Sequence, residues 1–192
     1  MDYKNILAIE VNLDLDYDRI AQEILSVPDS FWIPSIFNGY HWKSLLLTTN
    51  DIAPFKDFKS AKLIEHAKWY WDLNIPTPYV RSVLDSLSIN HIGIVRVMLT
   101  DGHLPLHVDS NKDTPNDTSY HLGLSLFPML NDSLSLADIR IHCRSMFFND
   151  SLSHGYPEST TQNLTIRIFG DFDYSKFEVV KIHTLSNEQQ LD

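Results

Sequence analysis

The chain has little sulfur chemistry available to it. Its single cysteine, Cys143, excludes an intrachain disulfide and any zinc site built on several thiolates. Cationic side chains are also scarce, 15 Lys and Arg against 25 Asp and Glu, for a formal net charge of −10 at pH 7. No basic cluster offsets that balance, so a phosphate-tracking surface for nucleic acid is not expected. No apolar run approaches the roughly eighteen residues that a membrane-spanning helix requires. The opening MDYKNILAIEVNLD places acidic residues where a secretory signal needs a basic start and an apolar core. The expectation is a soluble cytoplasmic protein that meets neither nucleic acid nor membrane. Internal repeats and low-complexity linkers are missing as well, which points to one domain over 1–192. What the chain does have is apolar mass: 43% hydrophobic and 11% aromatic residues, enough to bury a sizeable core.

The pattern changes character near Asn90. Before it, residues 4–12 alternate as a strand, and 14–30 space Leu15, Ile20, Ile24 and Leu25 as a helix that ends near Pro28. Residues 31–55, with Trp32, Pro34, Gly39, Trp42 and Pro54, read as an irregular stretch wrapping a surface or pocket edge. Residues 57–73 read as helical, with the aromatic cluster Trp69–Trp71 as core packing. A further helix starts at Thr77 as N-cap with Pro78 in its first turn. After Asn90, HIGIVRVMLT, LPLHVD, SYHLGLSLFP, LADIRIHC, SMFFND, NLTIRIFGDF and FEVVKIHT are short β-rich runs broken by Asp, Asn, Gly and Pro. The fold expected is mainly β with flanking helices, the core a jelly-roll sandwich or barrel. Residues 1–89 form a helical and irregular front, and residues 90–184 the β core.

Within LPLHVD, His107 and Asp109 are two positions apart, so on a strand their side chains share a face. His154, in FFNDSLSHGYPES just past the MFF strand, is the third candidate, carried on a loop that can turn it toward a barrel mouth. Two histidines and one carboxylate are the donor set that suits non-haem Fe(II) and leave coordination positions open for chemistry. Thirteen residues further on, Arg167 shares a face with Asn163 and Thr165, opposite Leu164, Ile166 and Ile168. In SYHLGLSLF, Ser119, His121 and Ser125 likewise oppose Tyr120, Leu122, Leu124 and Leu126. With the polar faces turned inward, Arg167 matches a carboxylate through its planar fork.

His107-x-Asp109, then HLGLSLF, MFFNDSLSHGYPE and Arg167 in LTIRIF, resemble in their order the Fe(II)/2-oxoglutarate-dependent oxygenases. The spacing is most similar to the aspartyl/asparaginyl β-hydroxylase branch. The resemblance covers about residues 90–173. It implies a double-stranded β-helix of cupin-like form, with His107, Asp109 and His154 holding Fe(II). It further implies Arg167 on the distal carboxylate of 2-oxoglutarate, with His121 beside that co-substrate. The activity implied is hydroxylation of an amino-acid unit, free or in a peptide or protein, with O2 consumed and 2-oxoglutarate converted to succinate. Two departures from that branch are visible. Asp109 is present where the animal-type enzymes lack the carboxylate ligand, and Ser119 stands where they carry a basic residue. Arg96, on the strand preceding the His-x-Asp pair, is a candidate replacement for that charge.

Two competing readings stay open at this point. In a metal-dependent cupin enzyme of another class, Arg167 has no assigned use. In a non-catalytic jelly-roll binding domain, the histidines are incidental. Arg140 and Arg144 read as structural or solvated, and His103 as a turn residue after Asp101-Gly102.

Overall fold

A computed structural model describes residues 6–37, 40–50, 68–108, 123–126, 134–148, 152–157 and 159–184. In chain order the elements are β1 (Ile6–Asn12), α1 (Tyr17–Leu25), β2 (Ile33–Phe37), β3 (Tyr40–Leu46), β4 (Thr48–Asn50), β5 (Trp69–Trp71) and α2 (Pro78–Ser86). They continue with β6 (Ile89–Thr100), β7 (Leu104–His107), β8 (Gly123–Leu126), β9 (Leu134–Leu136) and β10 (Ile139–Ile141). The last four are β11 (Ser145–Phe148), β12 (His154–Tyr156), β13 (Asn163–Phe172) and β14 (Glu178–Thr184). The protein is mainly β with two helices among the described residues.

Three layers result. A major sheet has the order β14-β1-β11-β8-β13-β6-β3-β2, and a minor sheet the order β10-β9-β12-β7. The helices cover the outer face of the major sheet. Ile20 and Ile24 of α1 and Val80 and Leu84 of α2 share one core with Val95, Val97, Leu164, Ile166, Ile168 and Phe147. A second core lies between the sheets, where Met98, Met146 and Phe148 meet Leu104, Leu134, Leu136 and Tyr156. Each fully buried aliphatic or aromatic side chain contributes about 1.5–3 kcal/mol, so loss of either core unfolds the molecule.

The helices are joined at their ends by one carboxylate. Thr77 precedes α2, as expected, but its side chain makes no capping bond. Glu23 of α1 reaches across instead: its Oε1 accepts from Tyr79 N at 3.0 Å and its Oε2 from Val80 N at 2.7 Å. Two orphan amides of the α2 N-terminus are thereby satisfied by a charge of the favourable sign.

Three stretches differ from expectation. Residues 31–55 are not irregular where described: β2, β3 and β4 lie there, and β3 docks on β6 with Leu45 opposite Val97. Pro34 is tolerated because β2 is the sheet edge, where a missing N–H breaks no inward ladder bond. Trp69–Trp71 is strand β5, paired with β4, and not the end of a helix; Trp71 packs against the core as expected, whereas Tyr70 is exposed. The remainder of 57–73, through Ala67, lies outside the described residues. LADIRIHC is a hairpin, not one strand: β9 turns into β10 through Ala137 (φ 44°) and Asp138 (φ 68°), both left-handed, the conformation of a tight hairpin turn.

Candidate metal and anion site

The turn at Asp101-Gly102 carries the chain from β6 in the major sheet to β7 in the minor one. Gly102 has φ +96°, and a side chain there would press on Ser159 O at 3.3 Å, so glycine suits the position on both counts. β7 then pairs antiparallel with β12, which sets His107 directly opposite His154. Their rings stand 4.5 Å apart. The approach depends on Gly155: a Cβ there would meet Pro105 O at 2.7 Å and Leu104 O at 2.8 Å.

His154 is therefore on a strand, not on the loop expected from its Ser- and Asn-rich neighbourhood. It is fully buried, while His107 is half-buried. Both rings are oriented in the same way from behind. His107 Nδ1 bonds Pro105 O at 2.9 Å, and His154 Nδ1 bonds Leu152 O at 2.8 Å. A carbonyl oxygen only accepts, so each Nδ1 must carry the proton. In the neutral imidazole the lone pair then sits on Nε2. Backbone bonds of this kind are what orient metal-binding imidazoles and raise their basicity. The donor chemistry fits a divalent metal ion.

Of the other expected ligands and co-substrate contacts, Asp109, Ser119 and His121 lie outside the described residues. Among the described residues, no three His, Cys, Asp or Glu side chains come together as a metal-binding group. The anion-binding candidates are described. Asn163, Thr165 and Arg167 share a face of β13 as expected, at 3%, 4% and 4% exposure. That face looks toward the minor sheet. The opposite face, with Leu164, Ile166 and Ile168, is equally buried beneath the helices. Arg167 stands opposite Arg96 of β6 in the strand register, which places both arginines on the inner face. Arg96 donates from Nε and Nη2 to Ser44 Oγ of β3, at 3.3 and 3.0 Å.

Phe148 links the two halves. The Arg167 guanidinium lies 4.8 Å from its ring centre, and the same ring meets His154 at 5.4 Å in a T-shaped contact. The row Arg167, Phe148, His154 and His107 therefore spans both sheets. Phe148, Gly155 and Ser44 were not expected from the sequence. Only Gly155 left a trace there, as a glycine immediately after the candidate histidine.

The remaining polar groups lie elsewhere. His103 stacks on Tyr40 at 4.7 Å in its turn. Arg144 lies over the Tyr17 ring, whose hydroxyl bonds Ser145 Oγ at 2.8 Å; burial pushes the Tyr17 pKa up. His183 pairs with Glu10 at 2.6 Å. Burial, with the Glu10 carboxylate nearby, pushes the Cys143 thiol up to about 12.

No protein-family model and no curated protein sequence matches the chain. Solved structures similar to it at low identity include these two. One is a 2OG-Fe(II) oxygenase-family oxidoreductase from Burkholderia pseudomallei: 8% identity, TM-score 0.48, 81% of this chain and 80% of that one covered. The other is a Pseudomonas putida prolyl-4-hydroxylase: 9% identity, TM-score 0.48, with 88% and 94% covered. No helix among the described residues is long and apolar enough to cross a membrane.

Proposed function

We propose that this chain is an Fe(II)- and 2-oxoglutarate-dependent dioxygenase, folded as a single domain over 1–192 with a double-stranded β-helix core, that hydroxylates an amino-acid unit. The observation that carries the reading is the pair His107 and His154. They are opposed across β7 and β12, each with Nδ1 donating to a backbone carbonyl so that the ring's lone pair is on Nε2, one ring away from a buried arginine.

In this reading His107, His154 and Asp109 are the residues that would hold the metal. With Fe(II) bound, the site supplies oxidation of a C–H bond: 2-oxoglutarate and O2 yield succinate and CO2, and the substrate gains a hydroxyl. The protein's own part is binding and placement. Arg167 would bind the distal carboxylate, and Arg96, its register partner on β6, would add positive charge to the same face. Ser119 and His121 complete the co-substrate contacts. Met98, Leu104, Leu136 and Tyr156 wall the space between the sheets with apolar surface, which keeps water out and strengthens the pairing of Arg167 with an anion. The substrate is an amino acid, free or within a peptide or protein, and the chain acts in the cytoplasm without nucleic acid or membrane.

The test is co-substrate turnover. Purified protein is supplied with Fe(II), O2 and 2-oxoglutarate, with pools of amino acids or peptides, and succinate is followed by NMR. The reading predicts succinate formation that a cognate substrate accelerates and that His107→Ala abolishes. Absence of succinate under all pools, from folded protein, would refute it.

A further inference from the structure

Phe148 belongs to neither half of the site and touches both. It is 2% exposed on the inner face of β11. Its register neighbours on that face are Ala8 of β1 and Gly123 of β8, the smallest side chain and none at all. Neighbouring positions on a sheet face normally crowd one another; here both are cleared, and the ring has room to lie over the sheet. Arg167 approaches it at 4.8 Å from the ring centre. His154 meets it at 5.4 Å with 65° between the planes, and His154 faces His107 at 4.5 Å.

Each contact removes a freedom that backbone bonds leave in place. The bond from His154 Nδ1 to Leu152 O fixes the proton but still allows the imidazole to roll about that direction. A T-shaped aromatic neighbour fixes the plane, and with it the line along which Nε2 points. Arg167 has a long, rotamer-rich stem. An aromatic face beneath the guanidinium restricts the orientations its planar fork can take. Geometry at such sites must hold to a fraction of an ångström.

We propose that Phe148 is a positioning residue which sets, with one ring, the plane of the His154 imidazole and the plane of the Arg167 guanidinium. The metal half and the co-substrate half of the site are thereby tied to each other. The inference rests on the roles given above to His107, His154 and Arg167. A ring that only filled the inter-sheet core would lower stability when trimmed and leave ligand affinities where they were.

The test compares the full-length wild-type chain with Phe148→Leu and with a chain carrying 3,5-difluorophenylalanine at 148, which keeps the ring's shape and drains charge from its face. Mn(II) binding alone is measured by electron paramagnetic resonance. 2-Oxoglutarate binding is then measured anaerobically at saturating metal, and thermal unfolding is recorded alongside. Phe148→Leu should weaken Mn(II) by about 3- to 10-fold and 2-oxoglutarate by about 3- to 30-fold, from the usual worth of aromatic and cation–π contacts. The difluoro ring should weaken 2-oxoglutarate by about 2- to 5-fold and leave Mn(II) within about twofold. A folded Phe148→Leu variant with both affinities within about twofold of wild type would overturn the proposal. If Phe148→Leu does not fold, unchanged 2-oxoglutarate affinity in the difluoro chain overturns it just as directly. Failure of the wild-type chain to bind Mn(II) and 2-oxoglutarate would instead remove the reading on which the proposal rests, and the two failures are told apart by that control.

Discussion

Gly155→Ala is the substitution through which this structure makes its sharpest demand. The added Cβ would sit 2.7 Å from Pro105 O, 2.8 Å from Leu104 O and 3.0 Å from Pro105 C. All three are backbone atoms of β7, so no side chain can rotate away. Ordinary van der Waals contact begins near 3.4 Å, so β12 and β7 must separate by several tenths of an ångström. Overpacking of this kind costs about 1–3 kcal/mol, which for a chain of this size lowers Tm by about 2–4 °C per kcal/mol. The functional cost is larger in proportion. His154 is the preceding residue, and the same separation moves its ring away from that of His107, which stands opposite it in the strand pairing. Metal affinity should fall by about tenfold or more, the range seen when orienting partners are lost. Mn(II) titration with a parallel thermal melt measures both. Wild-type Mn(II) affinity together with wild-type Tm would show that β12 does not need glycine here, and the strand-opposition account of the histidine pair would fail.

Three further outcomes follow from the same structure. Glu23→Ala leaves two α2 amides without their carboxylate and should cost about 1–2 kcal/mol, read as a lower denaturant midpoint; an unchanged midpoint would mean that water replaces the cap. Ala137→Asn places a residue that tolerates φ > 0 in the β9–β10 turn and should stabilise by about 0.5–1 kcal/mol, with any fall in Tm counting against the turn geometry. Cys143, with its thiol pushed up to about 12, should react with iodoacetamide at pH 8 far more slowly in the native protein than in urea. The sign for stability follows. Below an ordinary thiol pKa of about 8.5, native and unfolded chains both keep the proton and the term is constant. Above it the unfolded chain loses the proton first, so this contribution to stability declines as pH rises toward about 12. Native alkylation as fast as in urea would contradict the burial of that thiol.

The β-rich half was legible because period-two alternation is a local signal. Leu164, Ile166 and Ile168 against Asn163, Thr165 and Arg167 gave both the strand and the face on which the arginine lies. The first ninety residues were harder. Pro34 and Trp42 read as loop chemistry, and only their placement beside β6 makes strands of the segments that carry them. His154 illustrates the same limit. Its three-residue strand has a turn-like composition, and it is a strand because β7 and β9 lie on either side of it. The hydrogen bonds that fix the two imidazoles are short-range, each to the residue two before, yet they carry no sequence signature because any carbonyl can accept. Phe148 and Ser44 entered through register across five strands, from β11 to β3, which no local pattern encodes. Asp109, Ser119 and His121 remain expectations from the sequence.

The central claim, that the histidine pair and the arginine form one metal and co-substrate site, is tested most directly by anaerobic titration of the purified chain with Fe(II) and 2-oxoglutarate. The observable is the weak visible metal-to-ligand charge-transfer band, measured in wild type, His154→Ala and Arg167→Ala. The account predicts a band in wild type, its loss in His154→Ala, and in Arg167→Ala a band that needs about tenfold or more 2-oxoglutarate to appear. A wild-type protein that is folded, supplied with iron, and shows no band would contradict it.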